Sequence, residues 1–286
     1  MSSPLNSLPD PVAAFPPTPS AADAGYSAPL EVISAPPEKR FPAWTGWDVL
    51  AILVFTCFSV LLSIAVALLA TGVVAASRAT SVNELASNPF VVRAFLAGQA
   101  AAYLLVLGCM FFVVRSRSHA RFAPSIQWNW PGRSAAGFFV GGLVLALVVD
   151  GLSRFLPLPK SLPIEDLFTN RANAYLMALF GLTLAPLLEE LFFRGLLYPV
   201  LRRRTGLIAA VLLTAVGFAA IHSVQLGYAW APILSIFVVG VVFTVVRERW
   251  NSVASSFLLH CGYNFALFAL LWMASDHFRH LEKAAG

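Results

Sequence analysis

Charge is what this chain of 286 residues has least of. Asp, Glu, Lys and Arg together make up 12% of it, about half of the roughly 25% usual in a soluble domain. A globule in water has to cover its surface with groups that water solvates, so that class is excluded. Cysteine is scarce and odd in number. Cys57, Cys109 and Cys261 all fall in apolar stretches, which excludes a disulfide framework and makes them small packing residues. The apolar stretches lack a period-two alternation, so membrane-spanning strands are excluded in favour of helices. The net charge of +5 comes without an aromatic-interleaved basic patch, and nucleic acid is not an expected partner. No basic region followed by an apolar core opens the chain, so no secretory signal is expected. Neither an HExxH helix nor a Gly-x-Ser-x-Gly turn is present.

Apolar residues are what the chain does have. They make up 58% of it, the mean hydropathy is +0.76, and they lie in blocks of about 18–25 residues. Each block is long enough to cross a hydrocarbon core of roughly 30 Å as a helix. The expected fold is an all-α polytopic bundle with about seven to eight membrane helices.

Residues 1–42 hold ten of the nineteen prolines with many Ser and Ala, a composition expected to stay disordered. A first span is expected from Trp44 to Val74, with Trp44 and Trp47 as interfacial anchors. A second runs from Phe90 to Val114. A third runs from Ala135 to Leu156, where Gly137, Gly141 and Gly142 permit close helix approach. Together they form an N-terminal membrane region over 43–170, ending in a proline-containing loop from Pro157 to Asn170.

The stretch from Arg171 to Arg204 would run about 50 Å as one straight helix. Pro186 interrupts it, predicting pieces over Ala172–Leu184 and Pro186–Leu201, with the proline opening the second. Spans follow over Gly206–His222, Ala229–Val246 and Ser252–Met273, completing a core over 171–275 before a short tail, 276–286. Lys and Arg counted on alternating loops put the N-terminus in the cytoplasm, if the two pieces around Pro186 make one broken crossing.

Several polar side chains interrupt the apolar helices of that core. A charge at bilayer depth costs about 2.5–3.5 kcal/mol even on insertion scales, so such residues are rare and usually functional. Glu189, Glu190 and Arg194 stand in one block, Phe218 and His222 in the next, and His260 and Asn264 in the last. Glu190 and Arg194 are four apart and can pair along one face. Glu189 is rotated by about 100° and keeps an uncommitted carboxylate. Phe218 can wall the His222 imidazole, and His260 and Asn264 share a face.

Depth brings them together. Measured from the Arg202–Arg204 turn, Glu189 lies about 22 Å back and His222 about 25 Å forward, and from Arg249, His260 and Asn264 lie about 16 and 22 Å in. Four polar groups from three helices thus converge on one layer. Asp150 and Gln99 read as interfacial or packing groups, and His277 and His280 as solvated.

At these residues the chain resembles the CAAX prenyl protease 2 and bacteriocin-processing family of intramembrane proteases, also called CPBP or Abi proteins. The family pattern EExxxR, FxxxH, HxxxN stands here as Glu189-Glu190-Arg194, Phe218-His222 and His260-Asn264, in that order. The resemblance covers roughly Ala172 to Met273. It implies peptide-bond hydrolysis at or within the membrane, with Glu189 as general base on a water and His222 holding that water or a metal. His260 and Asn264 would then donate to the oxyanion, with Glu190, Arg194 and Phe218 supporting.

The resemblance also leaves room for one divalent ion, zinc, on a set of His222, His260 and Glu189 with an open position. A metal-free reaction uses the same side chains. The implied substrate is a membrane-associated protein or peptide, and the implied location the bilayer of a bacterial plasma membrane. A non-enzymatic alternative, a small-solute transporter or an immunity-type binding factor, would keep the same residues as a structural polar core. Transporters often show an internal repeat, and none is evident.

Overall fold

The computed structural model describes residues 41–78, 89–157, 159 and 171–279. The tail expected over 1–42, apart from its last two residues, lies outside them, as do most of the loop from Pro157 to Asn170, His280 and the rest of the C-terminal tail. Among the described residues every regular element is helical. In chain order these are α1 (Gly46–Arg78), α2 (Pro89–Ser118), α3 (Ala135–Ser153), α4 (Arg171–Leu182), α5 (Leu184–Glu190), a π-helical segment (Leu191–Leu197), α6 (Tyr198–Thr205), α7 (Leu207–His222), α8 (Trp230–Trp250) and α9 (Val253–Ala274).

Among the described residues, six helices are long and apolar enough to cross a membrane, the run Arg171–Thr205 counted as one, and α7 is a shorter apolar helix. The protein is therefore an all-α polytopic bundle. The broken run counts once, which gives the lower of the two expected helix numbers.

That run breaks one turn earlier than the proline suggests. Thr183 leaves helical geometry at φ −125° and ψ −77°, and Pro186 sits buried inside α5 rather than at its opening. The displacement has a simple cause. Proline has no N–H for the carbonyl four residues back, and its ring crowds that carbonyl, so the disruption falls at Leu182 and Thr183. Groups from α9 cover the break: the Asn264 amide donates to the Gly181 carbonyl at 2.8 Å, and the Cys261 thiol donates to that of Leu182 at 3.6 Å.

The π-helical turn downstream was not expected. Its widened ladder leaves carbonyls that accept from outside the helix. Arg247 Nε donates to the Arg194 carbonyl at 3.1 Å, and Trp44 Nε1 to that of Leu196 at 3.0 Å. Trp44 is accordingly 1% exposed and packed in the core, not an interfacial anchor, whereas Trp47 is 77% exposed. The indole is drawn inward because a buried carbonyl needs its donor.

The closest helix contact joins α3 to α9. A Cβ on Gly142 would lie 2.0 Å from the Leu259 carbonyl oxygen, and one on Gly262 would lie 2.0 Å from that of Phe139. Only hydrogen fits at either crossing point. Gly141 meets a Leu259 methyl, but Gly137 faces nothing within 4 Å and takes no part. At the other side of the bundle, Arg117 pairs with Asp48 at 2.7 Å and ties the end of α2 to the start of α1.

The remaining polar readings divide. All three cysteines are free, Cys57 exposed and the other two partly buried. Asp150 pairs with Arg154 at an exposed position, and His277 is half-exposed against Asp276.

Candidate active site

The site begins with Glu190 and Arg194, both with fully buried side chains and joined at 3.1 Å. A buried ion pair is costly unless further hydrogen bonds satisfy its other polar atoms. Arg194 meets this with α8: Nη2 donates to the Gly240 carbonyl at 3.0 Å and Nε to Thr244 Oγ1 at 3.3 Å. Its guanidinium also lies 4.4 Å from the centre of the Phe218 ring and 5.3 Å from that of Phe243. The side chain so held fixes Glu190, whose Oε1 lies 3.0 Å from His260 Nδ1.

Two tautomers follow. Glu190 beside Arg194 is an acceptor, so His260 donates to it from Nδ1. His222 Nδ1 lies 2.8 Å from the Phe218 carbonyl oxygen, which can only accept. In their neutral forms both rings therefore carry hydrogen on Nδ1 and leave Nε2 bare.

Both bare nitrogens face Glu189. His222 Nε2 is 3.9 Å from Glu189 Oε1, and His260 Nε2 is 3.7 Å from Oε2. These gaps are too long for hydrogen bonds. They leave room for a water at an ordinary hydrogen-bond distance of about 2.8 Å from each partner. Aromatic rings close the sides: Phe218 stands 4.8 Å from the His222 ring and Phe243 stands 4.6 Å from that of His260.

Glu189 is the charged point on the wall of a mainly apolar cavity of about 120 Å³. α1 supplies Leu53 and Thr56 to that wall, α2 supplies Tyr103, Val106 and Met110, and α5 supplies Leu188.

Glu189, His222 and His260 thus come together, with Glu190, Arg194 and Phe218 packed behind them. Asn264 does not join through any hydrogen bond seen here, because its amide lies on Gly181 at the helix break. Two imidazoles and a carboxylate are donors that zinc takes. As they stand, however, no three His, Cys, Asp or Glu side chains among the described residues are grouped to hold a metal ion.

Sequence reasoning missed Tyr103, Thr244, Gly240 and Arg247. The last three leave only a weak signal, polar or small residues at spacings of four and three along α8. Tyr103 gave none, since nothing in α2 marks which face meets Glu189.

Residues 171–266 match the family model of the type II CAAX prenyl endopeptidases, Rce1-like. The match covers the segment that carries the three motifs and supports, at the level of family, a CAAX-protease-like endopeptidase of the membrane. No curated protein and no solved structure matches the chain.

Proposed function

We propose, from a polar site set in a membrane bundle within a segment similar to type II CAAX prenyl endopeptidases, that this protein hydrolyses peptide bonds with a water activated by Glu189. The observation that carries the reading is the meeting of one carboxylate with two bare imidazole nitrogens beside an apolar cavity. Such a group can orient water and take its proton, while the apolar surroundings strengthen each electrostatic contact.

The step balances as follows. Glu189 accepts one hydrogen of the water while His222 Nε2 accepts the other, which turns an oxygen lone pair toward the substrate carbonyl carbon. The C–O bond forms, the carbonyl π electrons move to its oxygen, and Glu189 holds the proton. Collapse of the tetrahedral intermediate breaks the C–N bond, and the Glu189 proton passes to the leaving nitrogen. His260 borders the same position and is fixed by Glu190. Glu190, Arg194 and Phe218 hold the two imidazoles in register, and Asn264 acts at one remove by covering the Gly181 carbonyl at the break.

The substrate is a protein or peptide that enters with an apolar portion in the cavity. The test compares protein termini, by quantitative mass spectrometry, in membranes of cells carrying the wild-type chain or Glu189→Gln at matched levels. Termini found only with wild type support proteolysis. Identical termini, with solute flux into vesicles that needs the wild-type chain, would replace the reading with transport.

A further inference from the structure

The site as described is rich in acceptors and poor in donors. In neutral form His222 and His260 both spend their hydrogen on Nδ1 partners. Glu189 accepts, and the Asn264 amide commits one of its two hydrogens to Gly181. An oxyanion forming at the substrate carbonyl needs a donor aimed at it. Two hydroxyl groups stand on the cavity wall, those of Thr56 and Tyr103. Thr56 donates to the Ile52 carbonyl of its own helix at 2.8 Å and is spent.

We propose that Tyr103, carried by α2 outside the matched segment, donates its phenolic hydrogen to the substrate carbonyl oxygen across the cavity from Glu189. The inference rests on the endopeptidase reading above. Two observations place the group. Tyr103 lines the same cavity as Glu189. Its ring stacks on Phe180 of α4, with centres 5.1 Å apart and planes 29° apart, which limits how the phenol can swing.

Gln99 stands one turn earlier on α2, at the four-residue spacing that puts side chains on one face. An amide donating through its NH₂ to the phenolic oxygen leaves the O–H free for the cavity and polarises it. Gln99 is then a positioning residue, and the rest of the wall receives the apolar part of the substrate.

The experiment uses the full chain in lipid nanodiscs. The probe is an internally quenched farnesylated peptide with a C-terminal CAAX sequence. Its aldehyde analogue, whose hydrate has the tetrahedral geometry of the intermediate, is compared with the corresponding alcohol. Tyr103→Phe keeps the ring and removes the donor. It should lower kcat roughly 100-fold, as loss of one oxyanion donor does, with KM and unfolding temperature unchanged. It should also abolish the preference for aldehyde over alcohol. Gln99→Leu should shift the same parameters in the same direction by a smaller factor.

Wild-type kcat and a retained aldehyde preference in Tyr103→Phe would overturn the assignment. Aldehyde preference in a wild-type protein that cleaves nothing would sink the endopeptidase reading, while Tyr103 would still stand or fall on the variant's preference. Absence of both cleavage and aldehyde preference in wild type would overturn both.

Discussion

His260 bridges two adjacent glutamates with its two ring nitrogens: Nδ1 lies 3.0 Å from Glu190 and Nε2 lies 3.7 Å from Glu189. One imidazole separates a carboxylate locked to Arg194 from one that faces a cavity. Neighbours in sequence thereby serve different ends, because a helix turns them about 100° apart.

Glu189→Gln should therefore remove activity without harming the fold. The amide keeps the shape and loses the base, and general-base catalysis is typically worth 10²- to 10⁴-fold. Cleavage rate and thermal unfolding in nanodiscs check this together. Full activity in the variant would discard Glu189 as base.

Glu190→Gln should behave differently. It strips the partner from a fully buried guanidinium, and breaking a buried pair from one side costs about 3–5 kcal/mol. Unfolding in detergent should show a clear loss, with activity falling as His260 loses its orientation. The double variant Glu190→Gln, Arg194→Met should be less destabilised than Glu190→Gln alone, since it leaves no uncompensated charge.

Gly262→Ala should separate α3 from α9, because its new methyl would meet the Phe139 carbonyl oxygen at 2.0 Å. A lowered unfolding temperature and reduced activity are expected, since His260 rides on α9 two residues away. Gly137→Ala, with nothing within 4 Å, is the control and should match wild type.

Trp44→Phe keeps an aromatic ring but deletes the donor to the Leu196 carbonyl. A net loss of about 1–3 kcal/mol is expected for a buried acceptor left unpaired. Trp47→Phe, at an exposed position, should have no measurable effect in the same unfolding assay.

Treatment with a strong divalent-ion chelator should leave the cleavage rate unchanged, as a water site needs no ion to position its oxygen. A rate that falls and returns with zinc would show that His222, His260 and Glu189 close around a metal during turnover.

Much of the site was legible because helical periodicity is rigid. Four-residue spacing put Glu190 with Arg194 and Phe218 with His222, and counting from the basic turn brought Glu189 level with His222. Contacts made by long-range packing were not legible. Trp44 reads as an interfacial anchor until a π-turn carbonyl far along the chain draws its indole inward. Asn264 reads as an oxyanion donor, and nothing local shows that a helix break takes one of its amide hydrogens. Pro186 signalled that break but not its position, because the ring acts on the carbonyl four residues upstream.

The cavity wall has one further consequence. Glu189, Ala185, Leu188, Phe192, Phe193 and Ile221 come from the segment from α4 onward, whereas Leu53, Thr56, Tyr103, Val106 and Met110 come from the first two helices. On the proposed reading, the carboxylate and imidazoles lie in one stretch of chain, and part of the wall that meets the substrate, with Tyr103 as its donor, lies in another. The first two helices can vary in bulk and shape, provided Tyr103 is retained, without disturbing the carboxylate and imidazoles opposite. A chimera that takes α1 and α2 from a relative, with a tyrosine kept at position 103, and the rest from this chain should keep its reaction and adopt a different diet.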